Sequence, residues 1–197
     1  MEWIVKHLKQ KQLNLPKHVI HVGGYDGHEN QFYQRWGSKS TWFEPLPDKF
    51  EELKLKGFNV FNFALGSETK KVKFYVSSNG QSSSVLEPTN HLNIYPQFKF
   101  EQTIDVDVKT LDSFNILDCD MLVLDTQGYE LEVLKGSKNT LQMINFIVCE
   151  VFTKELYKNS PLLKDIQDFL RDYELVDIDW VEGSEKYWGD ALFIKKI

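Results

Sequence analysis

Short apolar runs alternate with stretches of helical spacing along most of this chain. Residues 121–124, MLVL, are an unbroken apolar run, the pattern of a strand that is covered on both faces of a sheet. Helical spacing follows, with Leu131 and Leu134 on one side. Similar runs at 19–22 and 144–152 predict further core strands. The order of these elements predicts an α/β fold with a mostly parallel sheet.

The rest of the hydrophobic pattern predicts further helices and strands. Together with the strands above, they are expected to form one domain over residues 1–197. The predicted helices are 1–17 (an amphipathic N-terminal helix), 29–36, 47–56, 111–117 and 161–173. The other predicted strands are 41–44, 58–65, 72–76, 103–108, 175–180 and 191–197. Residues 71–108 are expected to form a β-hairpin and loop insertion. The last two strands are expected to be an antiparallel pair whose connecting loop carries Trp188 and Asp190.

The turn after residues 121–124 concentrates groups that suit ligand binding. Asp125, Gln127 and Gly128 supply a carboxylate, an amide and a glycine. In an open α/β sheet, ligands bind at the carboxyl ends of the strands. We therefore expect Asp125 to face the chemistry. The alternative is that Asp125 and Gln127 only cap the following helix.

A second candidate site segment is the glycine turn after the first strand. Gly23, Gly24 and Gly27 lie between a predicted strand and a predicted helix, an arrangement that lets backbone approach a nucleotide-like ligand. Glu44 ends the next strand, where an acidic side chain binds ribose hydroxyls in nucleotide-binding folds. The glycines could also serve the turn alone, and Glu44 could be a surface residue. The segment lacks the Lys-Ser/Thr pair of a phosphate-binding P-loop.

Further candidates lie at the ends of later strands and in the irregular middle of the chain. Asn62 and Ala64 fall where an adenine ring could rest. The serines at 82–84 are either linker residues or hydroxyls that line a pocket. The aromatic segment 91–100 interrupts the alternation, and such insertions often contact substrates. Glu150 is expected at the same sheet edge as Asp125.

Composition narrows the function classes. The net charge of −6 and the pI of about 5.4 argue against general nucleic-acid binding, which requires a basic surface. No apolar run has the length of a membrane span, and the N-terminus lacks the apolar segment of a signal peptide. The two cysteines form no disulfide framework or metal motif, so we expect a reducing, cytoplasmic location.

Taken together, the motifs resemble the FkbM family of S-adenosylmethionine-dependent methyltransferases. DTQGYELEVLKG (125–136) resembles the most distinctive motif of this family, and FEPLPDKFEEL (43–53) resembles its second motif. NFALG (62–66), TLDSF, CEVF and WGDALF follow in the family's order. The first-strand motif departs from the family pattern, since His21 stands where an aspartate is usual and Tyr25 where an asparagine is usual.

The resemblance implies a three-layer, Rossmann-like class I fold with a seven-stranded sheet. It also implies an S-adenosylmethionine cofactor and methyl transfer to a hydroxyl group, often of a sugar or glycan. The cofactor residues that it implies, together with the strand-end residues identified above, are Gly23, Gly24, Asp26, Gly27, Glu44, Pro45, Asn62, Ala64, Asp125 and Gln127. For the substrate side we expect Ser83, His91 and Trp188.

An alcohol loses its proton as the new bond forms, so a general base is expected near it. The candidates are Asp125, Glu150 and Asp190, with His28 and His91 as weaker ones. The three acids could instead gather around Mg²⁺, which prefers oxygen ligands. Two other functions stay open: an N-methyltransferase or small-molecule methyltransferase of the same fold, and a cofactor-binding partner module without catalysis. A dinucleotide-dependent oxidoreductase is disfavoured by the incomplete glycine pattern.

Overall fold

The computed structural model describes residues 1–196, so Ile197 of the predicted last strand lies outside the described residues. The main sheet has the order β3-β2-β1-β7-β8-β10-β9. Its strands are β1 (His18–Val22), β2 (Lys39–Phe43), β3 (Val60–Phe61), β7 (Met121–Leu124), β8 (Phe146–Phe152), β9 (Tyr173–Trp180) and β10 (Trp188–Lys195). The neighbours from β3 to β8 are parallel, and β10 runs antiparallel to both β8 and β9. The expected seven-stranded, mostly parallel sheet is confirmed.

Helices cover both faces of this sheet and give the expected three layers. They are α1 (Glu2–Gln10), α2 (Asn30–Trp36), α3 (Pro47–Leu55), α4 (Asn90–Ile94), α5 (Glu130–Lys135) and α6 (Leu163–Phe169), with 3₁₀ turns at Leu111–Phe114 and Thr140–Gln142. Alternate residues of β7 enter opposite core clusters. Leu122 and Leu124 pack towards α5 and α6, whereas Met121 and Val123 pack towards α1. This double burial explains the unbroken apolar run.

A second, three-stranded sheet, β4-β6-β5, stands beside the main one. It contains β4 (Ala64–Leu65), β5 (Lys70–Val76) and β6 (Gln102–Lys109). β5 and β6 are antiparallel, as expected for a hairpin, and β4 joins β6 in parallel. The division of the chain into a core domain with an insertion at 71–108 stays a prediction.

The prediction of one strand over 58–65 was wrong. The Asn62 amide donates hydrogen bonds to the carbonyls of Glu44 (2.9 Å) and Pro45 (3.1 Å). These bonds hold the chain at Asn62 against the turn after β2, and the next residues pair with β6 instead of continuing β3. One apolar run therefore serves two sheets.

Several other bounds differ from the predictions; α6, for example, spans Leu163–Phe169 instead of 161–173. α1 ends at Gln10 instead of residue 17, and Gln12 takes a left-handed φ of +56° soon afterwards. The helix predicted at 111–117 is only a 3₁₀ turn, which ends at Asn115 with φ +50°. Trp188 and Asp190 lie within β10 instead of the loop before it. None of the helices in residues 1–196 has the length and apolar character that crossing a bilayer requires.

Candidate active site

A cavity of about 340 Å³ opens where the parallel strands end. This volume lies within the usual range for small-molecule sites. Its walls come from the segments after β1, β2, β3 and β7, from β8, and from the start of β10. The lining residues are Val22–Asp26, His28, Glu29, Phe43–Leu46, Phe63–Leu65, Phe74, Asn79–Ser83, Val85, His91, Tyr95, Phe98, Asp125–Gln127, Tyr129, Glu150, Phe152, Leu156 and Trp188.

Gly23 brings the turn after β1 against the turn after β7. Its φ is +92°, and a Cβ atom built there would lie 1.7 Å from the Asp125 carbonyl oxygen. Its N–H donates to the Phe43 carbonyl at 3.0 Å. Only glycine allows this approach. Gly27 also has a positive φ but lies outside the lining, against Phe58 and Leu53.

The unusual His21 lies beneath the cavity and is not one of its lining residues. Its ring stacks on Trp42 with centroids 4.3 Å apart, and its Nδ1 lies 2.8 Å from the Tyr33 hydroxyl. Burial lowers the pKa of His21 to about 3, so the imidazole is neutral. His21 is therefore a core residue.

Tyr25, the other departure, joins the glycine turn to the loop after β5. Its hydroxyl donates to the Asn79 carbonyl at 2.9 Å, and Gly80 packs on its ring. Its backbone N–H donates to Glu44 Oε2 at 2.7 Å. His21 and Tyr25, the two departures from the family pattern, are therefore both bound by other protein groups. Neither of them closes the cavity.

Glu44 is buried, and backbone amides hold its carboxylate in place. The N–H of Leu46 donates to Oε1 at 2.8 Å, while Tyr25 binds Oε2. Burial is the main cause that raises the pKa of Glu44 to about 7. The carboxylate lines the cavity at the end of β2, as expected.

Gln127 joins two carboxyl groups across the cavity. Its Nε2 donates to Asp125 Oδ1 and to Glu150 Oε2, each at 2.8 Å. The Tyr157 hydroxyl lies 2.9 Å from Gln127 Oε1 and donates to it, and Ser84 Oγ donates to the Gln127 carbonyl at 2.8 Å. These bonds hold Gln127 at a left-handed φ of +54°. The amide therefore fixes the two carboxyl groups relative to each other.

The two carboxyl groups have different proton affinities. Asp125 is open to the cavity, but protein surrounds its other sides, and this burial raises its pKa to about 6. Burial, followed by the charges of Asp125, Glu130 and Asp190, raises the pKa of Glu150 well above its usual range. Near neutral pH, Asp125 is therefore mostly ionised and Glu150 protonated, a separation that is typical of acid–base pairs.

Asp190 neighbours Glu150 in the sheet but lies outside the cavity lining. It faces Glu150 across the β10–β8 pair and Asp179 across the β10–β9 pair. Asp190 is exposed to solvent on one side, but the protein that surrounds its other sides, followed by the charge of Asp125, raises its pKa to about 7. Asp190 is therefore a neighbour of the pair formed by Asp125 and Glu150.

An aromatic wall encloses the other end of the cavity. The Trp188 Nε1–H donates to the Tyr95 hydroxyl at 2.6 Å. His91 is 3% exposed, and its ring lies 5.2 Å from that of Tyr95 and 5.4 Å from that of Tyr157. Its Nδ1 has no hydrogen-bond partner among residues 1–196. Tyr157 therefore connects this wall to Gln127.

The serines at 82–84 are buried parts of the site and not a linker. Ser82 and Ser83 line the cavity. Ser83 Oγ donates to the Gly80 carbonyl at 2.7 Å and accepts from the Ser77 N–H at 3.0 Å. Ser84 is fully buried beneath Gln127.

Comparison with protein-family models decides the family. The model of the FkbM methyltransferase domain matches residues 21–175, most of the chain. The chain belongs to the FkbM methyltransferase family. The resemblance of the sequence motifs is thereby confirmed.

Two curated proteins are similar to this FkbM chain. The 2-O-methyltransferase NoeI of Sinorhizobium fredii is 28% identical over 193 residues, which cover 88% of this chain and 77% of that protein. The hexuronic acid methyltransferase AglP of Haloferax volcanii is 26% identical over 150 residues. That match covers 68% of this chain and 59% of AglP.

Solved structures support the class I fold of this FkbM chain. An FkbM methyltransferase from Methylobacillus flagellatus has a TM-score of 0.60 at 14% identity, over 90% of this chain and 43% of that one. The magnesium protoporphyrin IX methyltransferase of Synechocystis, solved with S-adenosylmethionine bound, has a TM-score of 0.57 at 9% identity. That likeness covers 99% of this chain and 77% of the other.

The structure collects most of the predicted FkbM site residues around one cavity. Gly23, Gly24, Asp26, Glu44, Pro45, Ala64, Asp125, Gln127, Glu150, Ser83, His91 and Trp188 line it. Gly27, Asn62 and Asp190 lie outside the lining. Sequence reasoning missed Tyr157, and it included Tyr95 only within the aromatic segment 91–100. The roles of all these residues stay predictions.

The arrangement of the acidic side chains adds no support for the predicted Mg²⁺ site. Among residues 1–196, no three His, Cys, Asp or Glu side chains meet in an arrangement that could hold a metal ion. Gln127 stands between Asp125 and Glu150 and binds both carboxyl groups.

Glu130 should make the stability of the protein depend on pH. Its Oε1 accepts hydrogen bonds from the N–H groups of Thr126 and Gly128, while its Oε2 has no partner among residues 1–196. Burial is the main cause that raises its pKa from 4.5 to about 7. The folded state retains a proton that the unfolded chain releases, so the free energy of unfolding falls as the pH rises from 4.5 to about 7, by about 2 kcal/mol.

Urea unfolding of the wild type and of Glu130→Gln across this pH range measures the effect. Glu130→Gln carries no charge and should retain the hydrogen bonds at Oε1. Its free energy of unfolding should depend less steeply on pH. The control is Glu182→Gln, at an exposed position. Equal slopes for the wild type and Glu130→Gln would contradict the prediction.

Proposed function

We propose that this chain is an S-adenosylmethionine-dependent O-methyltransferase that methylates a hydroxyl group of a sugar or glycan. The observation that carries the proposal is the position of the Asp125 carboxylate. The backbone of Asp125 contacts Gly23 of the glycine turn, and its carboxylate is linked through Gln127 to Tyr157 beside the aromatic wall. The glycine turn, Glu44, Asp125 and the aromatic wall all line one cavity. A cofactor and an acceptor that share this cavity would therefore meet beside a base.

The residues present fit the cofactor. Glu44 offers carboxylate oxygens at a strand end, which suit ribose hydroxyls. Phe63 and Ala64 line an apolar part of the cavity that suits adenine. Gly23 and Gly24 line the cavity, so their backbone is available to the amino-acid end. When bound, S-adenosylmethionine supplies an electrophilic methyl group.

Asp125 would act as the general base. A carboxylate with a pKa of about 6 is mostly ionised near neutral pH and still accepts a proton as the alcohol reacts. Gln127 would hold this carboxylate in position, since its amide is itself fixed by Tyr157 and Glu150. Much of the rate of a methyl transfer comes from such positioning.

The names of the curated relatives support the acceptor class. NoeI is a 2-O-methyltransferase, and AglP is named for a hexuronic acid. The chain spans 77% of NoeI but only 59% of AglP, so the activity of the whole relatives is carried over here as a proposal. The name of NoeI specifies transfer to an oxygen, and the name of AglP specifies a sugar acid as its substrate.

The rival function is a partner module without catalysis. It was suggested by His21 and Tyr25, but His21 lies beneath the cavity and Tyr25 supports Glu44 through its backbone. The departures thus leave the proposed cofactor side intact, which favours the enzyme.

Calorimetric titration with S-adenosylmethionine and with its demethylated product tests the proposal, followed by a screen of hydroxyl and amine acceptors. We expect binding in the micromolar range, about −8 kcal/mol, and methyl transfer to a sugar hydroxyl. Transfer to amines alone would favour an N-methyltransferase. The absence of cofactor binding would favour the module without catalysis.

Gln127→Leu should shift the pH dependence of activity. The hydrogen bonds from Gln127 lower the pKa values of both Asp125 and Glu150. Without them, Asp125 ionises only at higher pH, so the acid limb of the kcat profile should move to higher pH. Kinetics from pH 5 to 9 measure the shift, with the exposed Gln167→Leu as control. An unmoved acid limb in Gln127→Leu would contradict this role.

A further inference from the structure

Among the described residues, the cavity lining is rich in carboxyl groups and lacks strong cations. Five carboxyl groups line it, those of Asp26, Glu29, Glu44, Asp125 and Glu150. Across residues 1–196, no Lys or Arg belongs to this lining. An anionic ligand group would therefore find no ammonium or guanidinium partner there.

The basic side chains beside the lining contact protein groups. His28 Nδ1 lies 3.0 Å from Asp26, and its Nε2 lies 3.1 Å from Glu29. The Lys56 ammonium donates to the Asp26 carbonyl at 2.9 Å, and the Lys109 ammonium lies 4.0 Å from the centroid of the Phe63 ring. The Lys49 ammonium lies over the Tyr25 ring, 4.9 Å from its centroid, and donates to Glu52 at 3.1 Å.

The acceptor side of the cavity carries aromatic faces and uncharged polar groups. Trp188, Tyr95 and Phe98 line it, together with the Gln127 amide. Aromatic faces suit the C–H face of a pyranose ring, while amide and carboxylate oxygens accept bonds from its hydroxyls. His91 adds a buried imidazole that lines the cavity and whose Nδ1 has no protein partner within residues 1–196.

We propose that the methyl acceptor is an uncharged pyranoside and that the cavity selects against sugars that carry a carboxylate or a phosphate. This inference rests on the proposed function. With the demethylated cofactor product, which carries no sulfonium charge, an anionic sugar would lose hydration on entry and would face the Asp125 carboxylate without a compensating Lys or Arg in the described lining. Specificity would then come from an unfavourable interaction with the wrong ligand as well as from good contacts with the right one.

Three matched ligands separate charge from shape: a methyl pyranoside, its 6-uronate and its 6-uronamide. The uronamide has nearly the shape of the uronate without its charge. Saturation-transfer NMR titrations of the full chain, with the demethylated cofactor product present, measure their Kd values in the gluco, galacto and manno series. Methyl-transfer assays with S-adenosylmethionine give kcat/KM for the same ligands.

We expect the pyranoside and the uronamide to bind at least about tenfold more tightly than the uronate at low salt, and to react correspondingly faster. Asp125→Asn should bring the uronate and uronamide Kd values closer together, because it removes a charge at nearly constant size. A uronate that binds or reacts as well as its uronamide would overturn the inference and leave the proposed function standing. If no sugar of either charge binds or is methylated, the proposed acceptor class fails, and this inference fails with it.

Discussion

Asp125→Asn should lower kcat for methyl transfer by about 10²- to 10⁴-fold, the usual contribution of a general base. Asparagine has the size of aspartate and can still accept a hydrogen bond from Gln127, but it cannot take the proton of an alcohol. In the wild type, burial raises the pKa of Asp125 to about 6, so activity should rise as the pH passes through 6. The variant should lack this acid limb.

Kinetics against pH, with calorimetry of cofactor binding, test the role of Asp125. The matched control is Asp168→Asn, whose carboxylate pairs with Lys164 on the exposed face of α6. Thermal unfolding of both variants shows whether they are folded. An Asp125→Asn protein with full kcat and full cofactor affinity would remove Asp125 from the centre of the site.

Gly23→Ala should destabilise the fold and abolish cofactor binding. The new Cβ would lie 1.7 Å from the Asp125 carbonyl oxygen, and the residue already has a φ of +92°. Either the turn after β1 or the turn after β7 must move, which separates the backbone of Gly23 from the Asp125 carboxylate. We expect a loss of about 3 kcal/mol or more in the free energy of unfolding.

Gly37→Ala is the matched control for this substitution. Gly37 has a φ of +72°, but nothing lies within 4 Å of a Cβ built there. Gly37→Ala should therefore lose only about 1–2 kcal/mol of the free energy of unfolding, the cost of a left-handed backbone at a residue with a Cβ. Its cofactor affinity should be unchanged. Urea unfolding and calorimetry compare the two variants. If Gly23→Ala and Gly37→Ala lost the same free energy of unfolding, the close approach of Gly23 to Asp125 would have no energetic importance.

Much of this site was predictable because parallel strands bring their carboxyl ends to one edge. That rule places Glu44, Asp125 and Glu150 together from the sequence alone. The unbroken apolar run of β7 likewise predicted a strand that is buried on both faces.

Several errors and omissions share one physical cause, which is contact between distant residues. The strand at 58–65 breaks because Asn62 binds carbonyls at Glu44 and Pro45, which no local pattern encodes. The role of Tyr157 depends on Gln127, far away in the chain. His21 departs from the family motif, which put the cofactor site in question. Only its stacking on Trp42 shows that it is a core residue.

The two sides of the cavity are built from different parts of the chain. The glycine turn and Glu44 follow β1 and β2 of the main sheet, whereas Tyr95 and Phe98 lie in the connection between β5 and β6. Substitutions at Tyr95 or Phe98 can thus alter the acceptor wall without changing the strands that carry the cofactor side, whereas Asn79 and Gly80 of the same connection contact Tyr25 of the glycine turn. The scaffold is accordingly suited to engineering by loop grafting, in which one segment is exchanged to obtain methyltransferases with new acceptors.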